Sequence, residues 1–123
     1  MVDSARVLIV EDDDSVRESL ADPLRRAGFE VQLFSSAEQY LTADLIESTD
    51  CLVLDVAMPG MSGPELHEEL RRRRIRVPVV FITARYDVRL RARMMDRGAS
   101  ECLFKPFGEK ELLDAITAAL RAT

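Results

Sequence analysis

The sequence predicts an α/β fold: a single five-stranded parallel sheet with helices on both faces. Three observations carry this expectation. Five short apolar runs alternate with five stretches of helical periodicity, and the connections between them are short. The central run, Cys51-Leu52-Val53-Leu54, has no polar side to give to water, as in a strand covered on both faces, and it ends in Asp55 followed at once by turn residues. Parallel strands need crossovers, which the intervening helices supply with right-handed chirality.

Arg6-Val7-Leu8-Ile9-Val10 is the first strand, and it runs into four carboxylates, Glu11 to Asp14. Val16, Leu20, Leu24 and Ala27 recur at helical spacing, with Asp14 or Ser15 as cap and Gly28 as stop. Pro23 interrupts that helix by removing a donor and crowding the carbonyl of Ser19, which predicts a kink. Phe29 to Phe34 reads as the second strand. Ser35 with Glu38 forms a capping box for a helix that carries Ala37, Tyr40 and Leu41 on one face.

After the central strand, Ser62 and Glu65 make a second capping box, and Pro64 fits the first turn of a helix that turns Leu66 and Leu70 inward and ends in Arg71 to Arg74. Val77 to Thr83 is the fourth strand, with Pro78 near its start. The segment from Val88 alternates apolar residues with arginines, but its residue types favour helix, and Asp87 as cap and Gly98 as stop decide for it. On that helix Val88, Ala92 and Met95 share one side, and Leu90 and Met94 the opposite side, where they are expected to mark a partner surface. Glu101 to Phe104 is the fifth strand, and Leu112, Leu113, Ile116, Ala119 and Leu120 line the last helix. The strand order this implies is flavodoxin-like, 2-1-3-4-5.

The 123 residues, 47% apolar and 32% charged, suit one domain spanning 1–123, with no internal repeat or linker and no effector domain. No apolar stretch approaches the roughly 20 residues that span a bilayer. The first residues carry no signal-peptide pattern, so the expectation is a cytoplasmic protein without a membrane partner. A net charge of -5 argues against direct nucleic-acid binding, and Arg71 to Arg74 read as the solvated end of a helix. Cys51 and Cys102 are too few and too far apart for a disulfide framework or a zinc site and read as reduced core residues; His67, the only histidine, reads as a surface or packing residue.

Four strand ends carry chemistry: Glu11 and Asp12, Asp55, Thr83 and Lys105. In a parallel sheet all lie on one edge, so three acids, a hydroxyl and an amine converge. Crowded carboxylates repel, and a hard divalent cation resolves the repulsion. Mg²⁺ suits an all-oxygen, histidine-free site that also receives a phosphate.

The runs Val7-Leu8-Ile9-Val10-Glu11-Asp12-Asp13, Leu54-Asp55-Val56-Ala57-Met58-Pro59-Gly60-Met61-Ser62-Gly63, Ile82-Thr83-Ala84 and Lys105-Pro106-Phe107 together resemble the receiver domain of bacterial two-component response regulators, over essentially the whole chain. The resemblance implies that Asp55 accepts a phosphoryl group from a phosphohistidine on a sensor histidine kinase. It implies Mg²⁺, for which Mn²⁺ can substitute, held by Glu11, Asp12, Asp55 and the Ala57 backbone carbonyl. Lys105 would contact the phosphoryl group, with a cis bond to Pro106, while Thr83 and the Ala84 amide follow it inward and reposition the fourth helix. Such a chain catalyses only its own phosphotransfer and autodephosphorylation, and pairs as a homodimer through the fourth helix, fifth strand and fifth helix. Its output is that of a stand-alone regulator or of the N-terminal part of a transcription factor.

Two residues depart from the family pattern. Cys102 stands three positions before Lys105, where an aromatic ring is usual, so a rotating ring cannot report on Thr83 in the usual way. Glu11 is one methylene longer than the common aspartate. Among competing readings, aspartyl-nucleophile phosphatases of the haloacid dehalogenase class place an acid two residues after the nucleophile, where this chain has Ala57. A flavin carrier needs donors in the first loop, which here is acidic, and a docking module without phosphorylation would not need the intact acid, hydroxyl and amine set.

Overall fold

The computed structural model describes residues 4–122. Ten elements alternate: β1 (Arg6–Val10), α1 (Asp14–Arg26), β2 (Glu30–Phe34), α2 (Ala37–Thr42), β3 (Cys51–Asp55), α3 (Gly63–Arg72), β4 (Val79–Thr83), α4 (Val88–Asp96), β5 (Glu101–Phe104) and α5 (Glu109–Arg121). All strand pairs are parallel, in the order β2-β1-β3-β4-β5, as the alternation of elements predicts.

Strand side chains point alternately to the two faces, and this divides the core in two. Leu8, Leu52, Leu54 and Phe81 face α2, α3 and α4, where they meet Tyr40, Leu66, Leu70 and Met94. Val7, Ile9, Val53, Val80 and Ile82 face α1 and α5, against Leu20, Leu24, Leu112 and Ile116. β3 and β4 are buried along their whole length, so the middle of the sheet is closed to solvent and only its ends are open to chemistry.

Several boundaries differ from the sequence reading, each for a local reason. The N-cap of α1 is Asp13, whose carboxylate accepts from Val16 N, rather than Asp14 or Ser15. α1 extends through Pro23, which is buried. β2 begins at Glu30, because Phe29 N still donates to Leu24 O in closing α1 over Gly28, whose φ is +98°. Ser36, not Ser35, caps α2 by accepting from Gln39 N, which leaves Glu38 free for another task. β4 begins at Val79, one residue past Pro78, which has no N–H for the ladder. The Ser62–Glu65 capping box forms as read.

The expected partner surface on α4 is inverted. Met94 is 3% exposed, the one buried residue of α4, and Leu90 packs against the same core, whereas Val88 is 61% exposed. Both stripes satisfy helical spacing, and the side that faces the sheet is set by how the 84–87 loop leaves β4. Leu90 and Met94 therefore face the core, and Val88 and Tyr86 are the large apolar residues turned to solvent.

His67 is a packing residue: it is buried with its ring edge-on to Phe81 at 5.5 Å, and burial holds its pKa below the usual value, so it is neutral. Cys51 and Cys102 are buried and unpaired, and burial pushes the Cys51 thiol up to about 12. Among the described residues no helix is long and apolar enough to cross a membrane.

Candidate functional site

The C-terminal ends of β1, β3, β4 and β5 meet at one edge of the sheet, and the loops that follow bring Glu11, Asp12, Asp55, Thr83 and Lys105 there. Asp55 closes β3 and is 6% exposed, Glu11 follows β1 and is 1% exposed, and Asp12 is open to solvent. Carboxylate oxygens of the three acids lie within 4.8 Å of one another. Lys105 Nζ donates to Glu11 Oε1 at 2.7 Å and stands 3.9 Å from Asp55 Oδ1. The Lys105–Pro106 peptide bond is cis. Thr83 is buried, and its Oγ1 accepts from Arg85 N at 3.1 Å.

The charges are unbalanced. Burial opposes ionisation of Glu11, but the Lys105 ammonium and the Asp13 amide outweigh it and hold the Glu11 carboxyl below its usual value. Asp55 goes the other way. Burial, and then the adjoining Glu11 carboxylate, push it up to about 7 against the attraction of Lys105. Asp12 is raised as well, by its partial desolvation and by Glu11. One lysine does not neutralise three acids, and a cation of hard character matches the oxygen donors that remain.

Three supporting contacts had no clear signal in the sequence. Glu38, on α2, accepts from Met61 N at 2.9 Å and so pins the loop that follows Asp55. Its carboxylate lies 2.7 Å from where a Cβ on Gly60 would stand, and Gly60 has φ +74°. Arg17, one turn into α1, donates to the Glu11 carbonyl at 2.7 Å and also pairs with Asp14. Tyr86 and Phe104 pack ring against ring at 4.6 Å beside the end of β5, two residues from Cys102. Gly63 entered the sequence reading as the last residue of the Leu54–Gly63 run, with no contact assigned to it. In the fold it lies so close to Asp55 that a Cβ would stand 2.2 Å from the Asp55 carbonyl oxygen.

Residues 7–117 match the family model described as response regulator receiver domain. The chain belongs to the response regulator receiver family. Nodulation protein W of Bradyrhizobium diazoefficiens is 46% identical over 115 residues, which are 94% of this chain and 51% of that protein. Transcriptional regulatory protein FixJ of Azorhizobium caulinodans is 40% identical over 120 residues, 98% of this chain and 57% of that one. The solved structure of the response regulator StyR superposes with a TM-score of 0.89 at 48% identity, over 98% of this chain and 61% of that chain. The receiver domain thus spans about half the length of the curated relatives it matches.

Proposed function

We propose that this receiver domain is a phosphorylation-dependent switch, charged at Asp55 by the phosphohistidine of a sensor histidine kinase. The observation that carries this reading is a buried carboxylate at the end of the central strand, flanked by a second buried acid and a lysine within reach of both. An Asp55 oxygen attacks phosphorus, the phosphorus–nitrogen bond breaks, and the imidazole leaves with the electron pair and takes up a proton. Glu11, Asp12, Asp55 and the Ala57 backbone carbonyl would hold Mg²⁺ or Mn²⁺. When bound, the ion would neutralise the negative charge that gathers on the phosphoryl oxygens.

The chain's own groups do the rest. Lys105 keeps Glu11 ionised and stands close enough to Asp55 to bind a phosphoryl oxygen there. Thr83 then releases the Arg85 amide to donate to the phosphoryl group, joined by the Ala84 amide, and the 84–87 loop follows toward the site. Attack of water on the aspartyl phosphate returns the switch to rest. Any pairing through the α4, β5 and α5 face has Val88 and Tyr86 as its apolar contacts, since Leu90 and Met94 face the core. The relatives' names, and their greater length, support an output in transcription regulation carried by a longer protein.

The test is acetyl phosphate with Mg²⁺, followed by mass spectrometry. The wild type gains one alkali-labile phosphoryl group and Asp55→Asn gains none. Labelling that persists at another residue in the variant refutes the assignment.

A further inference from the structure

We propose that a basic groove at the opposite end of the sheet, between the C-terminal ends of α3 and α4, docks an acidic peptide segment with an apolar anchor from a partner protein. Two adjoining cavities, of about 510 and 550 Å³, share Arg71, Ile75 and Arg76 in their walls, and Arg97 and Arg74 extend the row at its two ends. Together they make one continuous furrow.

The arginines there lack what most of the others have. Arg6, Arg17, Arg26, Arg72, Arg73 and Arg91 each meet a carboxylate. Among the described residues, Arg71, Arg74, Arg76 and Arg97 form no ion pair, and Glu69 is occupied by Arg72 and Arg73. Arg71 donates to the Arg97 carbonyl at 2.8 Å, which brings these two arginines together at one end of the furrow. Burial first, and then Arg71 and Arg97 against the opposing Glu68 carboxylate, hold the ionisation of the adjoining His67 down. Two helix C-termini offer only about one negative charge between them. Four guanidinium groups exceed that, in a chain whose net charge is -5.

The floor decides between polyanions. Ile75, Val77 and Pro78 are half-buried at the bottom of the groove. A phosphodiester backbone presents nothing apolar to that surface, whereas a Leu or Phe flanked by acids would cover it while its neighbours pair with the arginines.

The experiment measures fluorescence anisotropy of a labelled synthetic peptide of alternating Glu and Leu on the intact chain. Probes in parallel are the same peptide with Lys for Glu and a short duplex DNA. The acidic peptide is expected to bind saturably, more weakly as salt rises, and in preference to both other probes. Arg74→Glu with Arg76→Glu, whose side chains make no hydrogen bond or ion pair among the described residues, is expected to weaken binding roughly ten-fold. Arg89→Glu with Arg93→Glu, on α4, is expected to leave it unchanged, and urea unfolding verifies that both variants fold. The proposal is overturned if the acidic peptide does not bind, if the DNA binds more tightly, or if the two double variants behave alike.

Discussion

Replacing Asp55 by asparagine is expected to stabilise the metal-free protein, and to do so only above acidic pH. Asp55 has an ordinary value of 3.8 and is pushed up to about 7 in the fold. A folded-state value above the unfolded one means that the group's stability contribution is fully present below about pH 4 and is lost as pH rises to about 7. The rise from 3.8 to about 7 sets a ceiling of about 4 kcal/mol. Glu11 and Asp55 share the charge of Lys105, so a change at one is partly taken up by the other, and the expected gain near neutral pH is about 1 to 2 kcal/mol. Glu11 has the opposite sign. Its carboxyl is lowered, so its contribution is present above about pH 4.5 and falls away in acid, outside the window that belongs to Asp55. Urea unfolding in EDTA, compared between roughly pH 4 and pH 8, reads the Asp55 effect. The variant should approach the wild type in acid and exceed it near neutrality, and added Mg²⁺ should raise the wild type more than the variant. A wild-type stability that does not fall between those limits, or a variant no more stable at the upper one, refutes the electrostatic account of the site.

Glu38→Ala removes the acceptor that holds Met61 N, and should cost about 1 kcal/mol and speed amide exchange at Met61, read by hydrogen-exchange NMR. Glu38→Gln keeps an acceptor and should restore most of it. Met94→Ala empties a buried site and should lower stability by about 2 to 5 kcal/mol in urea unfolding, while Val88→Ala on the exposed side should stay within about 0.5 kcal/mol. Equal effects would reverse the assignment of the α4 faces. Gly63→Ala drives a methyl group into the Asp55 carbonyl, so β3 and the first turn of α3 must part. A loss of several kcal/mol with faster proteolysis in the loop between β3 and α3 is the expected result, and a neutral substitution would contradict the close approach.

The elements that the sequence made plain are those whose signals are local. The five apolar runs became the five strands, the Ser62 and Glu65 box closed as read, and Asp87 with Gly98 bounded α4 against the alternation that suggested a strand. Strand ends in a parallel sheet share an edge, so Glu11, Asp12, Asp55, Thr83 and Lys105 were predictable as neighbours before any distance was known. Errors fell where two local solutions are equivalent. Ser35 and Ser36 are both able caps, and the choice between them went with the task of Glu38, whose partner Met61 is 23 residues away.

By itself, then, the sequence determined the order of elements, the parallel sheet and the set of groups at its C-terminal edge, because side-chain periodicity and capping act within a few residues. Only the tertiary structure decided which side of α4 is buried, which carboxylate Lys105 binds, that Asp55 rather than Glu11 bears the electrostatic strain, and that four arginines at the far end meet no carboxylate among the described residues. These depend on the angle at which each loop delivers its helix and on distances between residues remote in the chain, quantities that no local pattern encodes.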